Sequence, residues 1–178
     1  IRTRESNQWT TIEPIKGPEI DLQKLLVKSP ELLPAEDLGV SFVVGIPEFA
    51  IGSGAADILA LSADGDVAII ECKRADNPEV KRKVIGQMLE YAAYLWKVSY
   101  EELDARVKHV NWEKYLKNQR LNEVKDKDLI GLVRKTAKEE FDEENFRIRL
   151  GDSLEKGRFF LIIVVDEIND ELKRTIQY

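Results

Sequence analysis

Apolar side chains recur along this chain with two different periods, and the changes of period predict its elements. The first fifteen residues lack clean periodicity and predict an irregular arm over 1–17. Behind Pro18 and Glu19, Leu22, Leu25 and Leu26 repeat at helical spacing until Ser29 and Pro30 end the helix. Val40 to Ile51 is apolar and β-branched but broken by Pro47 and closed by Gly52, Ser53 and Gly54, which predicts one or two short strands. Asp57 to Leu61 and Val67 to Lys73 are two further strands, joined across Ser62 to Asp66 by a strong hairpin signal. Asn77 and Pro78 suit the N-cap and first position of a long helix, with Val80, Val84, Met88, Tyr91 and Leu95 on one face to about Trp96.

Beyond Tyr100 the pattern weakens. Tyr100 to Phe141 is densely charged and predicts two or three surface helices, interrupted near Lys108 to Asn111 and near Asn122. Phe146 to Leu150 alternates like a short strand, Gly151 to Gly157 reads as a turn, and Arg158 to Val165 is a nearly continuous apolar run of interior-strand type. Helical character returns from Asn169. With no internal repeat and no linker, the expectation is one α/β domain with a central mixed β-sheet flanked by helices. Its parts are the arm 1–17, a motif-bearing core 18–97, a mostly helical insertion or cap 98–156, and a core strand with a C-terminal helix over 157–178.

Composition narrows the function classes. At 178 residues the chain is long enough to bury a real core without disulfides or a structural metal. Its one cysteine, Cys72, has no partner and belongs to no zinc-type cluster. The longest apolar run, Phe159 to Val165, falls far short of the roughly 20 residues that span a bilayer, so no membrane is expected. The start on Ile1 suggests a trimmed chain or fragment, and its lack of a signal-type segment makes a cytoplasmic location the default. The net charge of -6 argues against a protein coated in nucleic acid but leaves room for a local basic channel. Residues 73–83 form one basic cluster, with Lys73, Arg74, Lys81, Arg82 and Lys83 against Asp76 and Glu79.

The candidate chemistry lies on the hairpin. Alternation along a strand puts Glu71 and Lys73 on one face with Val67 and Ile69, and turns Cys72 to the other. If Ala63, Asp64 and Gly65 form a three-residue loop, Ser62 pairs with Asp66 and Asp57 falls opposite Glu71; a two-residue turn would instead set Ile58 there. The first register is preferred because Gly65 then occupies the left-handed position. Adjacent carboxylates repel in a partly buried site unless a cation neutralises them, and hard oxygen donors favour Mg²⁺ or Mn²⁺.

Asp57, thirteen intervening residues, then Glu71, Cys72 and Lys73 resemble the core motif of the PD-(D/E)XK nuclease superfamily, an acid followed by Glu-x-Lys on the next strand. Glu19 on the opening helix is similar to an extra active-site acid of such nucleases. Gln87 and Tyr91 look like the Gln-x-x-x-Tyr signature of the mismatch- and branch-cleaving subgroup. The resemblance covers about residues 18–97 and implies a restriction-endonuclease-like fold and metal-dependent hydrolysis of phosphodiester bonds in DNA, leaving 5′-phosphate and 3′-hydroxyl ends. It implies that Asp57, Glu71 and the Cys72 carbonyl bind the metal and that Glu19 serves a second ion or orients the first. Lys73 activates or orients water, and Gln87 positions a phosphate or the lysine. Lys81, Arg82 and Lys83 are expected to carry phosphate contacts. A homodimer or larger assembly is open.

Each residue also has a plainer reading. Glu71 and Lys73 make an ordinary cross-strand pair, Glu19 complements a helix dipole, Gln87 and Tyr91 border a core, and the basic run is a solvated face. On those readings the chain is a non-catalytic nucleic-acid-binding or protein-interaction module of a repair or defence assembly.

Overall fold

The computed structural model describes residues 2–5, 8–11, 18–33, 35, 39–74, 83–115, 128–137 and 141–166. Strands β1 (Arg2–Glu5) and β2 (Gln8–Thr11) form an antiparallel pair with Arg2 opposite Thr11 and Glu5 opposite Gln8. The arm expected to be irregular is therefore a hairpin where it is described. Thr3, Trp9, Thr10 and Thr11 favour extended backbone, a preference that a search for apolar periodicity does not register.

Helix α1 (Glu19–Lys28) begins after Pro18 and carries Glu19 and Asp21 in its first turn, where acids complement the dipole. It buries Leu22, Gln23, Leu26 and Val27 and gives way to a 3₁₀ turn at Pro30–Leu32. Three antiparallel strands follow: β3 (Phe42–Ile51), β4 (Gly54–Ser62) and β5 (Val67–Lys73). After the helices α2 (Lys83–Leu95), α3 (Tyr100–Lys108), α4 (Leu129–Thr136) and α5 (Glu143–Lys156), strand β6 (Phe159–Val165) joins β5 in parallel. The sheet order is β3-β4-β5-β6, a mixed four-stranded sheet with α1, α2, α3 and α4 packed against it.

The β4–β5 ladder runs from Leu61 opposite Val67 to Ile58 opposite Ile70, in the three-residue-loop register. Gly65 has φ +85, a left-handed position that no side chain adopts without strain, and an added Cβ there would meet the backbone of α5 at 2.5 Å. Pro47 does not split β3; it sits inside one continuous strand at the sheet edge, where its missing N–H is tolerated.

Three expectations change. Phe146 to Leu150 is helix, not strand, and Gly151 to Lys156 continues it rather than turning. Asp142 caps the N-terminus by accepting from the Asn145 N–H, Phe146, Leu150 and Leu154 line the buried face, and Ile148 stays exposed. Gly157, with φ +64, closes the helix. The run from Phe159 to Val165 pairs with β5 alone among the described residues and is half-buried, an edge strand rather than an interior one. The helices over 100–141, expected at the surface, each bury one face: Leu103 and Val107 of α3 and Leu129, Leu132 and Val133 of α4 belong to the same core as β3 to β5. The starts expected at Asn77 and Asn169, and the break near Asn122, lie outside the described residues. Among the described residues no helix is long and apolar enough to cross a membrane.

Candidate functional site

Strand β5 is fully buried up to its last residues, so its end sets polar groups against an apolar wall. Continuing the ladder one step past Ile58 and Ile70 places Asp57 opposite Glu71, and the contacts agree. The Lys73 ammonium stands 3.1 Å from Glu71 Oε2 and 3.7 Å from Asp57 Oδ2. Asp57 Oδ2 also accepts the Cys72 N–H at 2.7 Å, which anchors the carboxylate to the neighbouring strand. Glu19 arrives from α1: its Oε1 accepts the Arg74 N–H at 2.9 Å. An acid on a helix, one on β4 and one on β5 thus gather around the end of a single strand.

The electrostatics are uneven. Glu71 is 1% exposed, and its Oε1 is buried without a hydrogen-bond partner. Burial, and then the charge of Asp57, push its carboxyl above the usual range, against the opposing pull of Lys73. Burial by itself would lower the Lys73 pKa, but Asp57 and Glu71 outweigh it and hold the amine above the ordinary lysine range. The Cys72 thiol is pushed up by burial and then by Asp57 and Glu71, so this buried side chain is a core filler with no nucleophilic character. Lys73 is the cation that now balances the two carboxylates.

A hard divalent cation suits this donor set. Asp57 and Glu71 offer carboxylate oxygens, Glu71 Oε1 is an acceptor that the protein itself leaves unused, and neither imidazole nor thiolate competes. Among the described residues, however, no three His, Cys, Asp or Glu side chains stand in a ligating arrangement. With the Lys73 ammonium 3.1 Å from Glu71 and 3.7 Å from Asp57, an ion bound between the carboxylates would have to displace it.

Gln87 and Tyr91 are tied to each other. Gln87 Nε2 donates to the Tyr91 hydroxyl at 2.6 Å, and that hydroxyl donates to the Ala55 carbonyl at 3.0 Å. The clip holds α2 against the start of β4, two residues before Asp57, and Gly54 permits it because a Cβ there would lie 2.7 Å from the Tyr91 hydroxyl. Gln87 thus supports the strand that carries Asp57. Lys83 is exposed at the start of α2, whereas Lys81 and Arg82 lie outside the described residues.

One group escaped the sequence reading. Interpolating between the pairs Pro47–Ile58 and Phe49–Ala56 sets Glu48 opposite Asp57 on the other side of β4. Glu48 has φ +43, rare for a residue with a side chain. Its Oε1 is 2.5 Å from the Lys114 ammonium, and the neighbouring Tyr115 hydroxyl donates to Gln23 Oε1 of α1 at 3.3 Å. Pro47 inside an apolar strand was the available sign of irregular backbone beside Asp57; the partner 66 residues away had none.

No protein-family model, no curated protein and no solved structure matches the chain.

Proposed function

We propose that this chain is a metal-dependent endonuclease of PD-(D/E)XK type that hydrolyses phosphodiester bonds in DNA. The observation that carries the proposal is the convergence of Asp57, Glu71 and Lys73 at one strand end, with a buried Glu71 oxygen left unpartnered. The mixed sheet flanked by helices supports a restriction-endonuclease-like core, and Glu19 on the Arg74 N–H supports its role as the helix acid.

Asp57, Glu71 and the Cys72 carbonyl would hold Mg²⁺ or Mn²⁺, with Glu19 acting through water or on a second ion. Bound there, such a cation supplies Lewis acidity at the phosphate and an acidified water. Lys73 orients the attacking water and donates to a non-bridging phosphate oxygen. Gln87 acts through Tyr91 to fix the strand that carries Asp57. Water adds to phosphorus, the P–O3′ bond breaks, and the 3′ oxygen takes the proton, leaving a 5′-phosphate. Lys81, Arg82 and Lys83 contribute sequence-independent phosphate contacts.

Duplex, single-stranded and branched DNA incubated with Mg²⁺ or Mn²⁺ tests this, with products ending in 5′-phosphate and silence in EDTA as the expected result. Failure of the wild-type protein to cut any of the three with either metal would sink the enzyme reading. One observation favours a second reading: Lys73 already balances the carboxylates. On that reading the ion triad is structural, and the chain is a non-catalytic nucleic-acid-binding or protein-interaction module, indifferent to divalent ions.

A further inference from the structure

Across β3, β4 and β5 one row carries three acids: Glu48, Asp57 and Glu71. A polyanion entering there meets like charge, and a lysine answers it at each end. The two lysines are not equivalent. The Lys73 side chain is 15% exposed and held by two carboxylates, whereas that of Lys114 is 47% exposed and bound to the single carboxylate of Glu48. An exposed ion pair of this kind contributes little, so its cation exchanges partners readily.

The position of the pair is what lifts it above an ordinary surface contact. Glu48 holds its left-handed backbone in the middle of a strand, a strain of the sort found at binding and catalytic sites, and it does so level with Asp57. The register sets the Glu48 backbone one strand spacing, about 4.8 Å, from that of Asp57, so the carboxylate that holds Lys114 belongs to the strand beside the site. Tyr115, hydrogen-bonded to Gln23, fixes the base of this arm against α1, the helix that also supplies Glu19. Lys114 is therefore anchored at its base, while its exposed ammonium rests on Glu48 and 5.2 Å from the centre of the Tyr115 ring.

We infer that Lys114 is a substrate-phosphate contact of this site, held in reserve by Glu48 and transferred to a backbone phosphate when nucleic acid enters beside Asp57. The inference rests on the nucleic-acid reading above and adds a residue and a loading step to it. The Glu48–Lys114 pair breaks, a Lys114–phosphate pair forms, and the Glu48 carboxylate turns to water.

Fluorescence anisotropy of a labelled duplex and a labelled single strand in EDTA, across a salt series, provides the test. Lys114→Ala should weaken binding and lower the magnitude of the salt slope by about 0.9 on the duplex and about 0.7 on the single strand, the value of one lost phosphate contact, and Lys114→Arg should restore it. Glu48→Gln should tighten binding about two- to five-fold, the range that an exposed ion pair can withhold. In the Lys114→Ala background that gain should vanish. A gain that persists there means Glu48 acts by repulsion alone, and an unchanged slope in Lys114→Ala returns the pair to surface decoration; either result overturns the inference and leaves the nuclease reading standing. If the wild-type protein binds neither probe, the nucleic-acid reading itself falls, and the role of Lys114 falls with it.

Discussion

The two ends of the β4–β5 hairpin carry similar residues and treat them in opposite ways. At the turn, the Ser62 hydroxyl donates to Asp66 Oδ2 at 2.8 Å and accepts the N–H groups of Asp64 and Asp66 at 3.2 and 2.9 Å. Its polar groups are partnered locally, and they fix the loop that sets the register. At the other end, Glu71 is buried with one oxygen unpartnered and faces a second acid across the ladder. A polar group placed for folding is satisfied where it stands, while one that burdens folding points to a role outside it. The contrast separates Asp66, which a sequence scan counts as one more acid, from Asp57 and Glu71.

The largest expected effect is on chemistry. Glu71→Ala removes a carboxylate from the proposed metal site and should reduce cleavage to background and abolish Mn²⁺ binding by calorimetry. Lys73→Ala keeps both acids and should bind Mn²⁺ while cleaving about 10² to 10⁴ times more slowly. Ser62→Ala, at the opposite end, should leave the rate per folded molecule unchanged. Equal losses at both ends would erase the distinction between them.

Next comes stability without metal. Lys73→Met leaves Asp57 and Glu71 facing each other without a counter-charge, and removal of one member of a buried ionic cluster costs about 3 to 5 kcal/mol. Denaturation in EDTA should show that loss. Addition of Mg²⁺ or Mn²⁺ should restore part of it through binding to the folded state alone. If divalent ions restore nothing, the carboxylates do not take a cation, and the structural-triad reading gains.

Ser62→Ala should cost less, about 1 to 2 kcal/mol, because it removes an acceptor from two N–H groups without exposing a buried charge. Divalent ions should not alter that loss.

These contrasts also explain what could be read from the sequence. The hairpin register was legible because one local feature, Gly65 at a left-handed position, decides it, and from the register the meeting of Asp57 with Glu71 follows. Glu19 could be placed at the first turn of α1 because Pro18 and the helical repeat behind it mark where that helix starts, although its buried face, Leu22, Gln23, Leu26 and Val27, is turned away from the leucine stripe that includes Leu25. Phe146, Ile148 and Leu150 misled because Phe146 and Leu150, four apart, fit either period and Ile148, exposed on α5, completed a false alternation; the deciding signals were the ends, Asp142 and Gly157, fifteen residues apart. The Glu48–Lys114 pair was out of reach for a different reason. It depends on a bent strand edge meeting the segment after α3, a contact that no periodicity encodes.

The smallest expected effect is the pH dependence of the metal-free protein, and it compares the same two ends once more. Burial, then Asp57, raise the Glu71 pKa above its unfolded value. The charged form is therefore the unfavourable one in the folded state, and its penalty is fully present above the folded pKa. As pH falls through that value towards the unfolded range near 4.3, the folded protein takes up the proton first, and Glu71 contributes stability that it lacks wherever its carboxyl is charged. Other carboxylates titrate in the same window, so the informative quantity is a difference. In EDTA, the stability of wild type relative to Glu71→Gln should rise as pH is lowered from 7.5 towards 5, whereas that of wild type relative to Ser62→Ala should stay flat. Urea midpoints for the three proteins across that range measure both differences. A flat Glu71→Gln difference would mean that Lys73 already compensates the buried carboxylate in full, and the strain attributed to this end of the hairpin would be absent.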